Sequence, residues 1–176
     1  MVVTPFFPSK ESFVGSYIFD QVNEIKNQTN FNIQIIKAVS IFSSEKDYEF
    51  KGFNVHIFKI IDFPYFIFPG IFNAINKFRF KDFISKNEIQ NPEIIHAHVS
   101  YPASYLISDF KCKTIVQHHG LDVLQLLNGR NNFLRNLQKS LVIKNTIRHL
   151  NKVDLNIGVS QLVLNKLREH PSYFPK

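Results

Sequence analysis

The chain has 176 residues, of which 44% are hydrophobic and 20% charged, a composition that excludes an intrinsically disordered protein and suits one globular domain. Its single cysteine, Cys112, excludes an internal disulfide. The net charge is +7, and most of it comes from a run of basic residues with no acidic residue between them: Arg130, Arg135, Lys139, Lys144, Arg148 and Lys152. Basicity this local predicts one anionic contact surface.

Apolar segments alternate with amphipathic ones along the whole chain. In order, the pattern predicts a strand at residues 1–4, a helix at 15–27, strands at 31–39 and 53–60, a helix at 69–86, a strand at 93–99, a helix at 102–110, a strand at 114–119, a helix at 131–150 and a strand at 154–159. Ser160 is then the expected N-cap of a last helix. This alternation predicts an α/β fold with a doubly wound, mostly parallel sheet and helices on both faces.

The sequence shows no membrane-directed segment. The N-terminus, MVVTPFFPSK, lacks the basic and apolar regions of a signal peptide. The most apolar segment, residues 63–72, has about half of the roughly 20 residues that a membrane-spanning helix needs, and prolines interrupt it. We therefore expect a cytoplasmic protein that spans no membrane.

Polar residues gather in the loops that follow the predicted strands. Ligands of open parallel sheets bind beyond the carboxyl ends of the strands, so these loops predict where the functional site lies. In the first loop, Gly15 opens a helix, and the N–H groups of residues 15–17 can face an anion. The alternative is that Gly15 only makes a tight turn, and the loop lacks the G-x-G-x-x-G pattern of dinucleotide-binding proteins.

Histidines mark two of these strand ends. His96 and His98 point to the same face of a strand; we expect His96 in the core, whereas His98 suits either the core or the crevice. Adjacent His118 and His119 point to opposite faces, and His119, beside Gly120, is the better candidate for the crevice. A zinc site is disfavoured, because these opposite directions prevent the histidines from converging.

The run of basic residues falls mainly on the predicted helix 131–150. We expect a stripe of apolar residues on this helix to pack against the sheet: Leu134, Leu137, Leu141, Ile147 and Leu150. The basic residues then coat the remaining surface, either as a solvated face or as a contact for anionic lipid headgroups. Nucleic acid is the least favoured partner, because aromatic residues for base stacking are not interleaved with the basic ones.

Taken in order, the strand-end loops resemble the N-terminal domain of the retaining glycosyltransferases of family 4, which have the GT-B fold. The resemblance rests on residues 2–22, on PEIIHAHVSYPAS at 92–104, on TIVQHHGLD at 114–122 and on residues 153–167. It implies two Rossmann-like domains facing a cleft, with the nucleotide sugar held by the C-terminal domain and the acceptor presented by the N-terminal one. It also implies transfer with retention of anomeric configuration, without a metal ion or other cofactor.

The same resemblance implies roles for individual residues. Gly15 and Ser16 would lie near the donor diphosphate, and His119 would act at the transferred sugar as the catalytic residue. The acceptor side and floor of the cleft would be formed by His98, Ser100, Tyr101, His118, Asp122 and Ser160.

Two departures from the family pattern bear on these expectations. The first loop has Val14 and Gly15 where the family commonly has a glycine pair. The family's second domain, with its paired glutamates, is absent from the sequence, so we expect residues 1–176 to be one half of the enzyme and inactive alone.

The expected partners are therefore the missing C-terminal domain, a nucleotide-sugar donor of the hexosyl type, and a glycan or lipid-linked acceptor of polysaccharide biosynthesis. An anionic surface at the inner face of the cell membrane is a further candidate. Two other functions remain as alternatives. One is a stand-alone metal-dependent hydrolase that uses His96, His98 and His119; the other is a peripheral membrane or partner-binding module centred on residues 130–152.

Overall fold

The structure, a computed structural model, describes residues 1–62, 70–87, 89, 91–120, 122 and 133–174. Within these ranges seven strands form one sheet: β1 (Val2–Thr4), β2 (Ile35–Ser40), β3 (Tyr48–Phe50), β4 (Phe53–Ile60), β5 (Ile94–His98), β6 (Lys113–His118) and β7 (Leu155–Gly158). The helices of the described residues are α1 (Ser16–Gln28), α2 (Asn73–Lys86), α3 (Ala103–Ile107), α4 (Phe133–Leu150) and α5 (Gln161–Arg168).

The strand order determines where a ligand can bind. From edge to edge the order is β3-β4-β2-β1-β5-β6-β7, and every pair is parallel except β3 with β4. The chain thus builds outward from β1 in one direction and then, from β5 onward, in the other. Such a reversal opens a crevice beyond the carboxyl ends of β1 and β5. The predicted α/β fold with a doubly wound, mostly parallel sheet is confirmed.

Apolar strand residues are buried on both faces of the sheet, as a parallel sheet covered by helices requires. On one face Val2 packs in a cluster with Ile18 and Val22 of α1. On the other face Val3 belongs to a larger cluster that includes residues of α2, α3, α4 and α5. Because neighbouring residues of a strand point to opposite faces, this short β1 joins both halves of the core.

The edge strand β3 was not expected from the sequence. Tyr48–Phe50 pairs antiparallel with β4, and the chain turns between them at Lys51 and Gly52, whose φ angles are 46° and 77°. Two consecutive positive φ angles are typical of the tight turns that join antiparallel strands. The lysine–glycine pair between two short aromatic segments was the signal for this hairpin.

Helix α4 does not pack along its whole length, which corrects the predicted apolar stripe. Ile147 and Leu150 are buried in the core, but Leu137 and Leu141 have 53% and 40% of their surface exposed. Among the side chains of this helix that the structure describes, those buried in the core belong to its C-terminal half. Arg130 and the side chains of Leu134 and Arg135 lie outside the described part of the molecule.

Several element boundaries differ from the predicted ones by a few residues. β2 begins at Ile35 and not at residue 31, α2 begins at Asn73, and α3 ends at Ile107. Residue 69, the predicted start of α2, lies outside the described residues. None of the helices described here is long and apolar enough to cross a bilayer.

Candidate active site

Gly15 makes a tight turn that no other residue fits. Its φ angle is +87°, and a Cβ atom added there would lie 2.7 Å from the carbonyl carbon of Phe6 and 2.9 Å from the N atom of Phe7. Both the left-handed conformation and the close backbone approach therefore require glycine. The turn folds the loop that follows β1 back on itself and places the start of α1 at the carboxyl edge of the sheet.

The N–H groups at the start of α1 differ in their availability to a ligand. The Ser16 N–H donates to the carbonyl of Phe13 at 3.1 Å, so the exposed hydroxyl is the hydrogen-bond donor of Ser16 that remains for a ligand. The N–H groups of Gly15 and Tyr17 make no hydrogen bond with any described residue; Tyr17 is exposed, whereas Gly15 is buried. Both lie at the positive end of the helix dipole, which favours a bound anion.

Three side chains from different elements converge beside this turn. The ring of His119, which follows β6, lies 4.8 Å from the ring of Tyr17 on α1. Its Nε2 atom is 3.0 Å from Nδ1 of His98, the last residue of β5, and these two rings are almost parallel. Gln21 of α1 donates to Gln117 of β6 at 2.9 Å and fixes α1 against the same face of the sheet. The ends of β5 and β6 and the start of α1 thus meet at His119.

Burial keeps these histidines neutral. It lowers the pKa of His98 to about 2, with smaller contributions in the same direction from His96 and His119. Burial also lowers the pKa of the half-exposed His119, although the carboxylate of Asp122 acts in the opposite direction. At neutral pH both rings are therefore uncharged, and His119 is the half-exposed one of the two.

Asp122 joins the loops that follow β5 and β6. Its Oδ2 atom accepts hydrogen bonds from the N–H and the hydroxyl of Ser100, both at 2.8 Å, and its Oδ1 atom accepts from the N–H of His119 at 3.2 Å. Burial alone would raise the pKa of Asp122, but His118 and the Ser100 donors together lower it to about 2. The carboxylate thus holds the backbone of His119 in place and is largely enclosed.

His118 lies on the opposite face of β6 from His119, as predicted. It is fully buried, with Nδ1 at 3.0 Å from the hydroxyl of Ser100 and Nε2 at 3.1 Å from Oδ1 of Asn156. These contacts join the ends of β5, β6 and β7. His118 and Ser100 therefore lie beneath the crevice surface, and Asn156 is a third member of this network that the sequence did not single out.

The backbone at Val99 is strained. Its φ angle is 67°, in the left-handed region that a β-branched residue rarely adopts and that costs about 1–3 kcal/mol. The Val99 N–H donates to the carbonyl of Gln117 at 2.9 Å, which holds the turn. As a result the chain leaves β5 in the direction that brings Ser100 to Asp122.

Tyr101 and Ser160 flank this centre. The Tyr101 hydroxyl donates to Oδ2 of Asp62, which lies beyond the end of β4. Burial, and to a smaller extent this hydrogen bond, raises the pKa of Tyr101 strongly. Ser160 is exposed, and its hydroxyl accepts from the N–H of Val163 at 3.4 Å, so it is the N-cap of α5 as predicted. The polar atoms of both residues thus take part in contacts within the domain.

A comparison with known families now identifies the chain. The family model of Glycosyltransferase Family 4 matches residues 35–173, which is most of the sequence. The chain belongs to glycosyltransferase family 4. The matched region includes β5, β6 and their loops, whereas the Gly15 turn and α1 lie before it. Among curated proteins, none matches the chain.

In this family 4 domain the predicted site residues occupy two levels. His119 and the Gly15 turn border the crevice, together with the ring of Tyr17, a residue of which the sequence singled out only the N–H group. His98, Ser100, His118 and Asp122 lie beneath them and contact one another or the backbone. Tyr17 was detectable in principle, since it follows Gly15 in the first turn of a predicted helix.

The histidines do not form a metal-binding group. Among the described residues, no three side chains of histidine, cysteine, aspartate or glutamate are placed to hold one ion. His98 and His119 direct their facing nitrogens at each other, and His118 lies on the other side of the sheet. The geometry gives the metal-dependent hydrolase no support.

The exposed face of α4 carries apolar and basic residues in succession. Leu137, Leu141, Lys144 and Arg148 are all exposed and are spaced by four, three and four residues, which places them along one side of the helix. Lys152 lies just beyond the helix, where its ammonium group pairs with Asp109 at 3.1 Å.

A cavity of about 450 Å³ opens at the amino edge of the sheet, opposite the crevice. Its lining is mostly apolar and includes Val22 and Ile25 of α1, Ile33 and Pro92. His96 lines it as well, and burial lowers the His96 pKa to about 4, although a hydrogen bond with Gln117 acts in the opposite direction.

Proposed function

We propose that this family 4 domain forms the acceptor-side wall of a glycosyltransferase that moves a hexosyl group from a nucleotide-sugar donor to a glycan or lipid-linked acceptor, with retention of anomeric configuration. The observation that carries the proposal is the position of His119. Its neutral ring lies where the ends of β5 and β6 meet the start of α1, with its centre 4.8 Å from that of the Tyr17 ring.

The chemistry of this wall suits a sugar attached to a phosphate. A neutral imidazole can hydrogen-bond to a sugar hydroxyl without the cost of placing a charge beside it. The free N–H groups of Gly15 and Tyr17 lie at the positive end of the α1 dipole, where the charge that develops on the leaving diphosphate is stabilised. The Ser16 hydroxyl is available as a further donor to the same phosphates.

The proposal assigns the remaining donor contacts to a second domain. The groups that border the crevice in the described residues are an imidazole, a phenol, a hydroxyl and backbone N–H groups, none of which carries a positive charge. A nucleoside diphosphate carries several negative charges, so we assign the cationic groups that bind it to a donor-binding domain facing this one. The acceptor then enters between the two walls.

The role of His119 is tested in the full-length enzyme. His119→Ala should lower the rate of glycosyl transfer about 100-fold, because a hydrogen bond to the reacting sugar is lost. His56→Ala is the matched control, since His56 contacts Asp47 near the other end of the sheet, and it should keep the rate. Proton NMR of the product should show the donor's anomeric configuration. Near-normal transfer by His119→Ala would remove this residue from the reaction.

The need for a second domain is tested with residues 1–176 alone. Incubation with a panel of nucleotide sugars should release no nucleoside diphosphate above the rate without protein. Sustained release would show that this wall is sufficient for turnover, and the two-domain proposal would then be wrong.

We also propose that the exposed face of α4 rests on an anionic membrane surface. The observation behind this is the order of its residues, with Leu137 and Leu141 followed by Lys144 and Arg148 on one side of the helix. Leucines suit the boundary between headgroups and acyl chains, and basic residues attract anionic headgroups by about 1 kcal/mol each. A membrane contact would bring the crevice close to a lipid-linked acceptor.

Liposome sedimentation tests this contact. The domain should sediment with vesicles containing anionic lipid and stay in solution with neutral vesicles, and added salt should weaken binding. Lys144→Glu should reduce the bound fraction, whereas Lys46→Glu, which changes an exposed lysine elsewhere, should have a smaller effect. Binding that is absent, or that Lys144→Glu and Lys46→Glu reduce equally, would leave α4 as an ordinary solvated face.

A further inference from the structure

His98 is too deeply buried to touch an acceptor. Its side chain has no exposed surface, although the resemblance implied a place for it along the acceptor side of the cleft. Its one hydrogen bond within the described residues joins Nδ1 to Nε2 of His119 at 3.0 Å. The two rings are nearly parallel, with an angle of 18° between their planes. His98 can therefore influence a ligand only through His119.

The hydrogen on this bond can belong to either ring, and the surroundings of His98 favour one arrangement. The Nε2 atom of His98 is buried and has no partner among the described residues. If His119 donated, the hydrogen of neutral His98 would sit on this Nε2 atom, and a buried N–H would be left without an acceptor. If His98 donates, Nε2 carries only a lone pair, which is less costly to leave unpaired than an N–H group.

We propose that His98 is a positioning residue that donates its Nδ1–H to Nε2 of His119 and thereby fixes the tautomer of His119. A neutral His119 whose Nε2 accepts must carry its hydrogen on Nδ1. That Nδ1–H makes no hydrogen bond with the described residues, so it remains available to a ligand. His119 thus presents a donor, and the ligand atom that it contacts is an oxygen acceptor, such as a sugar hydroxyl or a phosphate oxygen.

Neighbouring contacts hold His119 in this geometry. Asp122 accepts the backbone N–H of His119, and the ring of Tyr17 covers one side of the imidazole. The low pKa of His98 agrees with a neutral ring that carries a single hydrogen. The tautomer concerns this domain alone, whereas its consequence for glycosyl transfer rests on the proposed function.

The tautomer can be observed directly in ¹⁵N-labelled residues 1–176. Long-range proton–nitrogen NMR spectra of the imidazole rings distinguish protonated from unprotonated ring nitrogens. In the unsubstituted protein, His119 should be protonated on Nδ1 and unprotonated on Nε2, and His98 should show the same pattern. A His119 ring protonated on Nε2 overturns the proposal, and this result needs no variant that must fold.

Variants of His98 add a test of cause. His98→Leu removes the donor and should convert the single His119 tautomer into a mixture. His98→Asn keeps a side-chain N–H near the position of Nδ1 and should preserve the single tautomer. His96→Leu is the matched control, because His96 lies on the same face of β5 with its ring 4.4 Å from His98 and makes no hydrogen bond with His119. An unchanged His119 tautomer in His98→Leu overturns the proposal.

Activity of the full-length enzyme separates this proposal from the proposed function. His98→Leu should lower kcat up to about tenfold, as expected for the loss of one neutral hydrogen bond, and His98→Asn should restore most of it. A fixed tautomer combined with full activity of His119→Ala would support the positioning role and contradict the proposed function. A mixture of His119 tautomers in the unsubstituted protein, combined with low activity of His119→Ala, would contradict the positioning role and support the proposed function.

Discussion

Two histidines of strand β5 show how different the two edges of one sheet are. His96 and His98 leave the strand on the same face, and their rings lie 4.4 Å apart. His98, at the carboxyl edge, meets a histidine from the next strand, whereas His96 borders the mostly apolar cavity of the amino edge. Around His98 the carboxyl edge is a network of polar contacts between loops, whereas around His96 the amino edge is a hollow between α1 and the strand starts.

The difference has a topological cause. Loops that leave the carboxyl ends of parallel strands all start at the same edge, and the reversal at β1 keeps a gap between them. Beneath that gap, Ser100, His118, His119 and Asp122 make hydrogen bonds that join the ends of β5 and β6 and the loops after them. At the amino edge, Asp154 accepts from the N–H and the hydroxyl of Thr114, both at 2.9 Å, so the starts of β6 and β7 are linked as well. We expect the contacts of Asp122, which join two loops, to be the stronger constraint.

The largest expected effect is the loss of the carboxylate that joins two carboxyl-edge loops. Asp122→Ala leaves the N–H groups of Ser100 and His119 without their acceptor and should lower the free energy of unfolding by about 3 kcal/mol. Asp47→Ala is the control, since this more exposed carboxylate accepts from one backbone N–H, that of Ile57, and should cost about 1 kcal/mol. Urea unfolding measures both, and equal losses would contradict the structural role of Asp122 at the carboxyl edge.

The same carboxylate predicts a dependence on pH. The pKa of Asp122 in the folded domain is about 2, below its ordinary value of 3.8. A lowered pKa contributes stability at pH values above about 4, and this contribution disappears as the pH falls from 4 to 2. Unfolding curves of Asp122→Asn should therefore depend less on pH in that window than those of the unsubstituted domain, and parallel curves would contradict the low pKa.

Alanine substitutions at two glycines with positive φ angles, one at each edge of the sheet, should lower the free energy of unfolding by somewhat less. In Gly15→Ala the new Cβ atom would lie 2.7 Å from the backbone of Phe6, so the substitution should lower the free energy of unfolding by at least about 2 kcal/mol. Gly52→Ala, in the hairpin at the amino edge, meets only the end of the Lys26 side chain at 3.9 Å and should cost about 1 kcal/mol from its φ angle alone. Thermal or urea unfolding compares them, and a Gly52 variant that is the less stable of the two would reverse the expected order.

The smallest expected effect concerns His96 and acid. Burial lowers its pKa to about 4 from an ordinary value of 6.5, so the unfolded chain binds the proton more readily between these pH values. Stability should therefore fall as the pH drops from 6.5 to 4. The His96→Leu variant cannot bind that proton, so its free energy of unfolding should fall by about 1–2 kcal/mol less than that of the unsubstituted domain over this pH range. Unfolding at pH 7 and pH 4.5 tests this, and an identical loss in both proteins would contradict it.

The sequence was sufficient to predict the fold because the relevant signals are local. Alternating apolar and amphipathic segments indicate strands and helices, and the order of the elements leads to a doubly wound sheet. Ser160 was identifiable as an N-cap because the side chain bonds within its own first turn. The hairpin of β3 was overlooked because a three-residue edge strand has too short a pattern to stand out.

The polar contacts of the site were harder to predict, since they depend on distances between separate loops. The spacing of His96 and His98 predicted that they share a face of the strand. It did not predict that His98 is enclosed or that His96 borders a cavity. Leu137 and Leu141 have the spacing of a buried stripe, yet whether a helix continues past the edge of the core is a property of the whole molecule. The roles of Tyr101 and Asp122 likewise depend on partners distant in sequence.

The outer strands have a consequence for how copies of this domain behave at high concentration. An open sheet exposes unpaired backbone groups at its edges, and a long edge strand can recruit another chain and start an aggregate. Here β3 and β7 are only three and four residues long, and β3 runs antiparallel to its one neighbour, β4. Neither offers a continuous ladder to a second sheet, so these borders protect the domain against edge-to-edge polymerisation.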